Sequence, residues 1–138
     1  AGAATGGDGL CGPAWMRGRF STEPALAIPD GATTGVEADL LVFGLATVST
    51  DVALDLVISH PRTEDLVVTL GNPAGTWVVV HNGAASPTGE LYLSGAALTG
   101  FPGDESVNGI WRLRVVDKKA GKAGSISRFG LELMSRWD

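Results

Sequence analysis

Apolar and polar residues alternate in short runs along most of this chain, without the 3.6-residue period of an amphipathic helix. In the clearest run, Val52, Leu54, Leu56 and Ile58 share one face, and Asp55 lies on the other. A period of two with one wetter face predicts antiparallel strands. Similar runs cover residues 36–43, 66–70, 111–116 and 126–134, and residues 77–81 form a β-rich run with Val78, Val79 and Val80.

Gly, Pro, Asn and Asp separate these runs, so seven or eight short strands are expected in an all-β sandwich or barrel. The stretch Gly83–Gly109 departs from this spacing, since it holds only one short apolar segment, Glu90–Leu93. It is expected to be a long loop, of the kind that often binds a partner. Residues 1–14 are rich in Gly and Ala and are expected to form a linker or arm before a domain at 15–138.

Composition narrows the function classes. Ten basic and fifteen acidic residues among 138 give a net charge of −5, and no basic stripe marks a nucleic-acid or anionic-membrane surface. No run of about 18 apolar residues predicts a membrane span, and the first residues show no signal-peptide pattern. Cys11 is the only cysteine, so the chain has no internal disulfide.

The segment Ile58-Ser-His-Pro-Arg-Thr-Glu-Asp65 concentrates groups that could do chemistry. Nucleophilic catalysis needs a Ser or Cys beside a base, and zinc needs three or four ligands. His60 and His81 lack both arrangements. Glu64 and Asp65 are adjacent, so on an extended chain they point apart and do not form the carboxylate pair that glycoside hydrolysis needs. We therefore expect packed or turn-bonding histidines and no enzymatic activity in this chain.

Three stretches together resemble one known family. They are FSTEPALAIPDG (20–31), VALDLVISHPRTEDLVVTLGNPAGT (52–76) and GIWRLRVVDKKAGKAGSISRFGLEL (109–133). Their order and spacing are similar to the P domain, or homo B domain, of proprotein convertases, over roughly residues 19–134. Pro61, Asn72 and Phe129 depart from the family pattern. Lys122-Ala123 also departs from it, at a loop where the family would suggest calcium.

This resemblance implies a jelly-roll-like antiparallel β-sandwich of about eight strands. It also implies a noncatalytic module that stabilises or regulates the catalytic domain before it. That domain is expected to belong to a secreted, subtilisin/kexin-like serine protease, although some bacterial members of the family are attached to metalloproteases instead. The expected partner is then the catalytic domain of the same polypeptide. Candidate residues for that contact are Trp77, Tyr92 and Phe101.

Calcium is the one cofactor that the acidic residues leave open, because calcium prefers six to eight oxygen ligands from carboxylates and loop carbonyls. The chain has no contiguous calcium-binding loop, so any site must combine distant loops. The candidate carboxylates are Asp30, Asp65, Asp104, Glu105 and Asp117. For Asp65 and Asp117 the alternative is a carboxylate that accepts backbone N–H groups.

A second hypothesis comes from another functional class. β-Sandwiches also serve as stand-alone extracellular modules that bind glycan or protein. Such a module requires an exposed aromatic platform, and its only available parts are Trp15, Trp77, Tyr92 and Trp137.

Overall fold

The computed structural model describes residues 15–28, 35–83, 89–119 and 124–137. The expectations for the 1–14 linker, Cys11 and Asp30 lie outside these ranges. The described part contains one three-residue 3₁₀ helix, Thr63–Asp65. It contains nine strands: β1 (Trp15–Thr22), β2 (Leu26–Ile28), β3 (Val36–Val42), β4 (Val48–Ser59), β5 (Leu66–Gly71), β6 (Trp77–Asn82), β7 (Glu90–Leu98), β8 (Gly109–Asp117) and β9 (Gly124–Arg136).

The strands form two antiparallel sheets. A five-stranded sheet has the order β1-β9-β4-β7, with β2 also paired to β9, and a four-stranded sheet has the order β3-β8-β5-β6. β1 and β2 pair with successive parts of β9, so they act as one interrupted edge strand. The expected all-β, jelly-roll-like sandwich is confirmed.

The inward faces of the two sheets form one apolar core. Trp111 on β8 is fully buried, and its indole N–H donates to the carbonyl of Val107 at 2.8 Å. Phe129 and Leu131 on β9 are buried opposite it. Each such side chain contributes about 1.5–3 kcal/mol through burial, so the alternation seen in the sequence supplies the main driving force for the fold.

One prediction about the strands was wrong. Gly83–Gly109 is not a long loop, because it contains β7, a nine-residue strand at the edge of the five-stranded sheet. The β4–β7 register shifts between Leu54 and Leu56, and the Gly95 N–H donates to the Asp55 carboxylate at 2.7 Å. This bulge interrupts the alternation of β7, which is why the pattern did not reveal the strand.

The two ends of the sandwich differ. At the end called here the Trp15 end, β1 begins and β9 finishes, since Trp15 and Arg136 are Cα partners, and Val48 of β4 also pairs with Arg136. At the opposite end, called the His60 end, β4 and β8 lead into polar connections. No helix in the described part of the chain is long and apolar enough to cross a membrane.

Candidate domain-contact surface

The histidine of the Ile58–Asp65 segment has a structural role. His60 follows β4 and is buried, and its Nε2 lies 2.9 Å from Oδ2 of Asp117, at the end of β8. The backbone N–H of Arg62 donates to His60 Nδ1 at 2.9 Å. Because Nδ1 accepts this bond, the imidazole proton is on Nε2 and is donated to Asp117. His60 thus ties the loop after β4 to the end of β8, 57 residues away.

The second histidine also has a structural partner. His81 on β6 is buried, and its Nε2 lies 2.8 Å from the backbone carbonyl of Thr63. It holds the 3₁₀ turn against the sheet. Neither imidazole has a serine or cysteine side chain as its hydrogen-bond partner among the described residues, so the arrangement fits the packed and turn-bonding roles that the sequence predicts.

The carboxylates at this end already have protein donors. Asp117 accepts from His60 through Oδ2 and from the Lys119 N–H through Oδ1, at 3.1 Å. Asp65 is buried, with Oδ2 3.4 Å from Nε of Arg62. Two carboxylates whose oxygens face an imidazole and a guanidinium do not fit the oxygen-only shell that calcium prefers.

Glu105 is engaged at the Trp15 end. Its carboxylate accepts from the Thr76 hydroxyl, 2.7 Å from Oε1, and from the Asn72 amide at 2.8 Å. These two bonds, with Thr76 contributing most, lower the pKa of Glu105 below its ordinary value. The carboxylate thereby fixes the β5–β6 turn to the segment between β7 and β8. In the described part of the chain, no three His, Cys, Asp or Glu side chains come together as a metal site.

The structure separates the three contact candidates. Trp77 is 44% exposed on the outer face of the four-stranded sheet, at the Trp15 end. Its ring covers Gly71, where an added β-carbon would lie 2.8 Å from the indole. Phe101 is at the same end but partly buried, packed edge-to-face on Trp111 at 5.5 Å. Tyr92 is 63% exposed on the outer face of the other sheet, beside Val57.

The Trp15 end carries further exposed apolar side chains that the sequence did not suggest as contacts with a partner domain. Phe43, just after β3, is 65% exposed and meets Phe20 edge-to-face at 5.7 Å. Trp137, just after β9, is 58% exposed, and Leu41 near the end of β3 is 56% exposed. The alternating pattern of 36–43 signalled Leu41 as outward-facing, but only the folded chain shows that Phe43 and Trp137 lie at one end.

Comparison with known proteins agrees with this architecture. Residues 49–133 match the family described as the proprotein convertase P-domain. Leupeptin-inactivating enzyme 1 of Streptomyces exfoliatus is 30% identical over 112 residues, covering 78% of this chain and 24% of that protein. The transglutaminase-activating metalloprotease of Streptomyces mobaraensis is 29% identical over 116 residues, covering 81% and 14%. The chain therefore spans about a quarter or less of these relatives' length.

Solved structures give the same fold at lower identity. The serine protease of Aeromonas sobria in complex with its chaperone superposes with a TM-score of 0.62 at 17% identity, over 91% of this chain and 28% of that chain. The crystal structure of FLHE superposes with a TM-score of 0.60 at 15% identity, over 90% and 99%. The sequence match covers more than half of the chain, and within it the described residues form strands of both sheets, so this chain belongs to the proprotein convertase P-domain family.

Proposed function

We propose that this chain is the noncatalytic C-terminal P domain of a larger secreted protease, and that it stabilises the adjacent catalytic domain. The family match supports a protease parent. The observation that carries the docking proposal is the concentration of exposed apolar side chains at the Trp15 end, where the chain enters β1.

The exposed apolar side chains at the Trp15 end indicate a surface that contacts another domain. Phe43, Trp137 and Leu41 are each more than half exposed, and exposed apolar patches mark interaction surfaces more often than free surface. A domain that precedes Trp15 in the polypeptide is joined to the sandwich at this end and is therefore near these side chains. Contacts between domains of one chain are typically modest in area, so two or three buried aromatic anchors are sufficient. Of the candidates named from sequence, Trp77 and Phe101 lie at this end.

The catalytic type of the parent is a separate part of the proposal. The resemblance led us to expect a subtilisin/kexin-like serine protease. However, a sequence relative at 29% identity is a metalloprotease by name, whereas the similarity to a serine protease at 17% identity concerns the fold alone. A metalloprotease parent is therefore the better supported choice, and the serine type stays a prediction from the resemblance.

The test uses the full parent polypeptide, purified with and without the P domain. We expect deletion to shorten the half-life of proteolytic activity on heating. In the intact parent, Phe43→Ser with Trp137→Ser should reproduce part of that loss. Tyr92→Ser serves as the matched control, since it removes an equally exposed aromatic away from the Trp15 end. Equal half-lives for all four proteins would refute the docking role.

A second function is favoured by one observation. Because this chain covers 99% of FLHE, the same fold exists as nearly a whole chain, which suits a stand-alone extracellular module. An immunoblot of the source organism's secreted fraction, with a parallel casein zymogram, separates the two. A band much heavier than 14.1 kDa that clears casein supports the accessory domain. A sole band near that mass without clearing supports the free module.

A further inference from the structure

The outer face of the five-stranded sheet carries a groove that the proposed docking at the Trp15 end leaves open. It has two adjoining parts, together called the outer groove. The larger, about 360 Å³, is lined by Arg17, Asp51, Ala53, Ala97, Glu132 and Met134, among others. The smaller, about 180 Å³, is lined by Arg19, Asp55, Val57, Tyr92, Ser94 and Arg128, among others.

The groove follows from the sequence of the sheet's outward positions. Ala53 and Ala97 are Cα partners on β4 and β7, so two methyl groups form the floor of the larger part. Arginines of β1 and β9 stand beside this low floor, and Tyr92 stands at the far end on β7. From Asp51 to Val57 the floor extends for about 20 Å along β4, which suits a linear ligand.

The walls hold polar groups that are not used by the fold. Among the described residues, the side chains of Arg17, Arg19 and Arg128 have no hydrogen bond or ion pair that holds them in place, and the same is true of Asp51 and Glu132. Asp55 differs, since it accepts the Gly95 N–H. Three guanidinium groups and three carboxylates balance in charge, so the groove offers both donors and acceptors without a net field.

Charge balance decides between ligand classes. A polyanion needs a positive surface, which the balanced groove lacks. A peptide that adds a strand pairs with the free edge of a sheet, whereas the groove lies on the outer face and is centred on β4, which is internal to the sheet. A sugar chain has hydroxyl groups that both donate and accept, and C–H faces that pack on an aromatic ring. The exposed ring of Tyr92 beside donors and acceptors matches that chemistry.

We propose that the outer groove binds a neutral polysaccharide, with Tyr92 as the ring on which one sugar packs. This site is independent of the docking proposal, since it lies on a different face of the molecule. In a secreted protease such a site would hold the enzyme on a glycan-coated substrate or cell surface.

The test is affinity electrophoresis of the purified chain in gels containing laminarin, xylan, hydroxyethyl cellulose or glycol chitin, with heparin as the polyanion. We expect slower migration in at least one neutral polysaccharide. Tyr92→Ala should weaken that binding at least about tenfold, and Tyr92→Phe should retain it. Ala97→Trp, which fills the floor, should also abolish it. Trp77→Ala is the matched control and should leave it unchanged.

Several results would contradict the glycan proposal. Unchanged migration in every neutral polysaccharide would overturn the proposal. So would retardation that survives both Tyr92→Ala and Ala97→Trp, or retardation seen only with heparin and lost in salt. Thermal unfolding of each variant establishes that the fold is intact before its migration is interpreted. Affinity for gelatin in place of any glycan would assign the groove to protein and would also sink the glycan assignment.

Discussion

Single side chains at the two ends of the sandwich hold its loops in place through hydrogen bonds. His60 and Asp117 do this at one end, and Glu105 with Asn72 and Thr76 does it at the other. In both places a carboxylate in one connection receives donors from another that is distant in sequence. Two of the carboxylates that first suggested calcium, Asp117 and Glu105, therefore act as anchors for loops.

Removing His60 should be costly because Asp117 would remain buried without its imidazole donor. We expect His60→Ala to lower the free energy of unfolding by about 3 kcal/mol or more, measured by urea denaturation. Asp39→Ala is the control, since Asp39 and Arg112 form an exposed pair at 3.8 Å that is worth below about 1 kcal/mol. Equal effects of the two substitutions would contradict the anchor role of His60.

Glu105 gives a pH dependence whose direction follows from its lowered pKa. A carboxyl whose pKa is lower in the folded state than its ordinary value of 4.5 stabilises the fold above that pH. The contribution is lost as pH falls through the lower, folded-state pKa. Wild type should thus have a higher Tm than Glu105→Gln at pH 7, and the difference should shrink well below pH 4.5.

The control for this prediction is the neighbouring acid. Asp104 makes no side-chain hydrogen bond to a described residue, so Asp104→Asn should leave Tm nearly unchanged at both pH values. A Tm difference for Glu105→Gln that stays constant between pH 7 and pH 3 would show that the carboxylate charge is not what matters.

At the level of elements, alternation located most of the sheet-forming segments and failed where the local pattern is broken. β3, β4, β5, β8 and β9 coincide with runs of period two, because their inward residues form the core, and β6 coincides with the β-rich run 77–81. β7 was missed because its bulge breaks the alternation. β1 and β2 were missed because Glu23–Ala25 interrupts the edge strand that they form beside β9. Ala25 has a positive φ of 49°, an irregularity that no periodicity reveals.

The sites were less predictable than the strands for a different reason. Their contacts join residues far apart in the chain, such as His60 with Asp117 and Asn72 with Glu105. Turn chemistry gave each residue a local role, and Asn72–Gly75 does close a turn through the Gly75 N–H at 3.0 Å. Only the pairing of β5 with β8, in which Leu66 lies beside Asp117, brings such connections together.

Gly124, the first residue of β9, packs closely against the end of β4 and the residue after it. A β-carbon at Gly124 would clash with the carbonyl oxygen of Ser59 and lie 2.7 Å from Cδ2 of His60. We expect Gly124→Ala to destabilise by about 1–3 kcal/mol, since backbone must move. Gly103→Ala meets open space and should change stability by less than about 0.5 kcal/mol. Chemical denaturation that ranks the two equally would disprove this packing argument.

At the scale of the whole molecule, charge and apolar surface are distributed unevenly. Exposed Phe43 and Trp137 lie at the Trp15 end, the outer groove lies across one broad face, and the buried His60–Asp117 hydrogen bond closes the His60 end. The residues proposed for docking differ from those proposed for glycan binding, so the two proposals can be tested independently.

The catalytic type of the proposed parent protease can be tested with inhibitors. Because a metalloprotease is among the sequence relatives, we expect 1,10-phenanthroline to abolish casein hydrolysis by the full polypeptide. Phenylmethylsulfonyl fluoride should have little effect. The reverse pattern of inhibition would restore the serine protease type that the family resemblance suggests, while leaving the fold and the P-domain assignment unchanged.

The pairing of Trp15 with Arg136 has a consequence for how such a domain spreads among genes. Because β1 starts beside the last residue of β9, a host chain joined at both positions is interrupted over only about 5 Å. The sandwich can then be fused behind a catalytic unit, or placed within a surface loop, without unwinding either strand. Grafting residues 15–137 into an exposed loop of an unrelated secreted enzyme should therefore yield a fusion protein in which both parts fold.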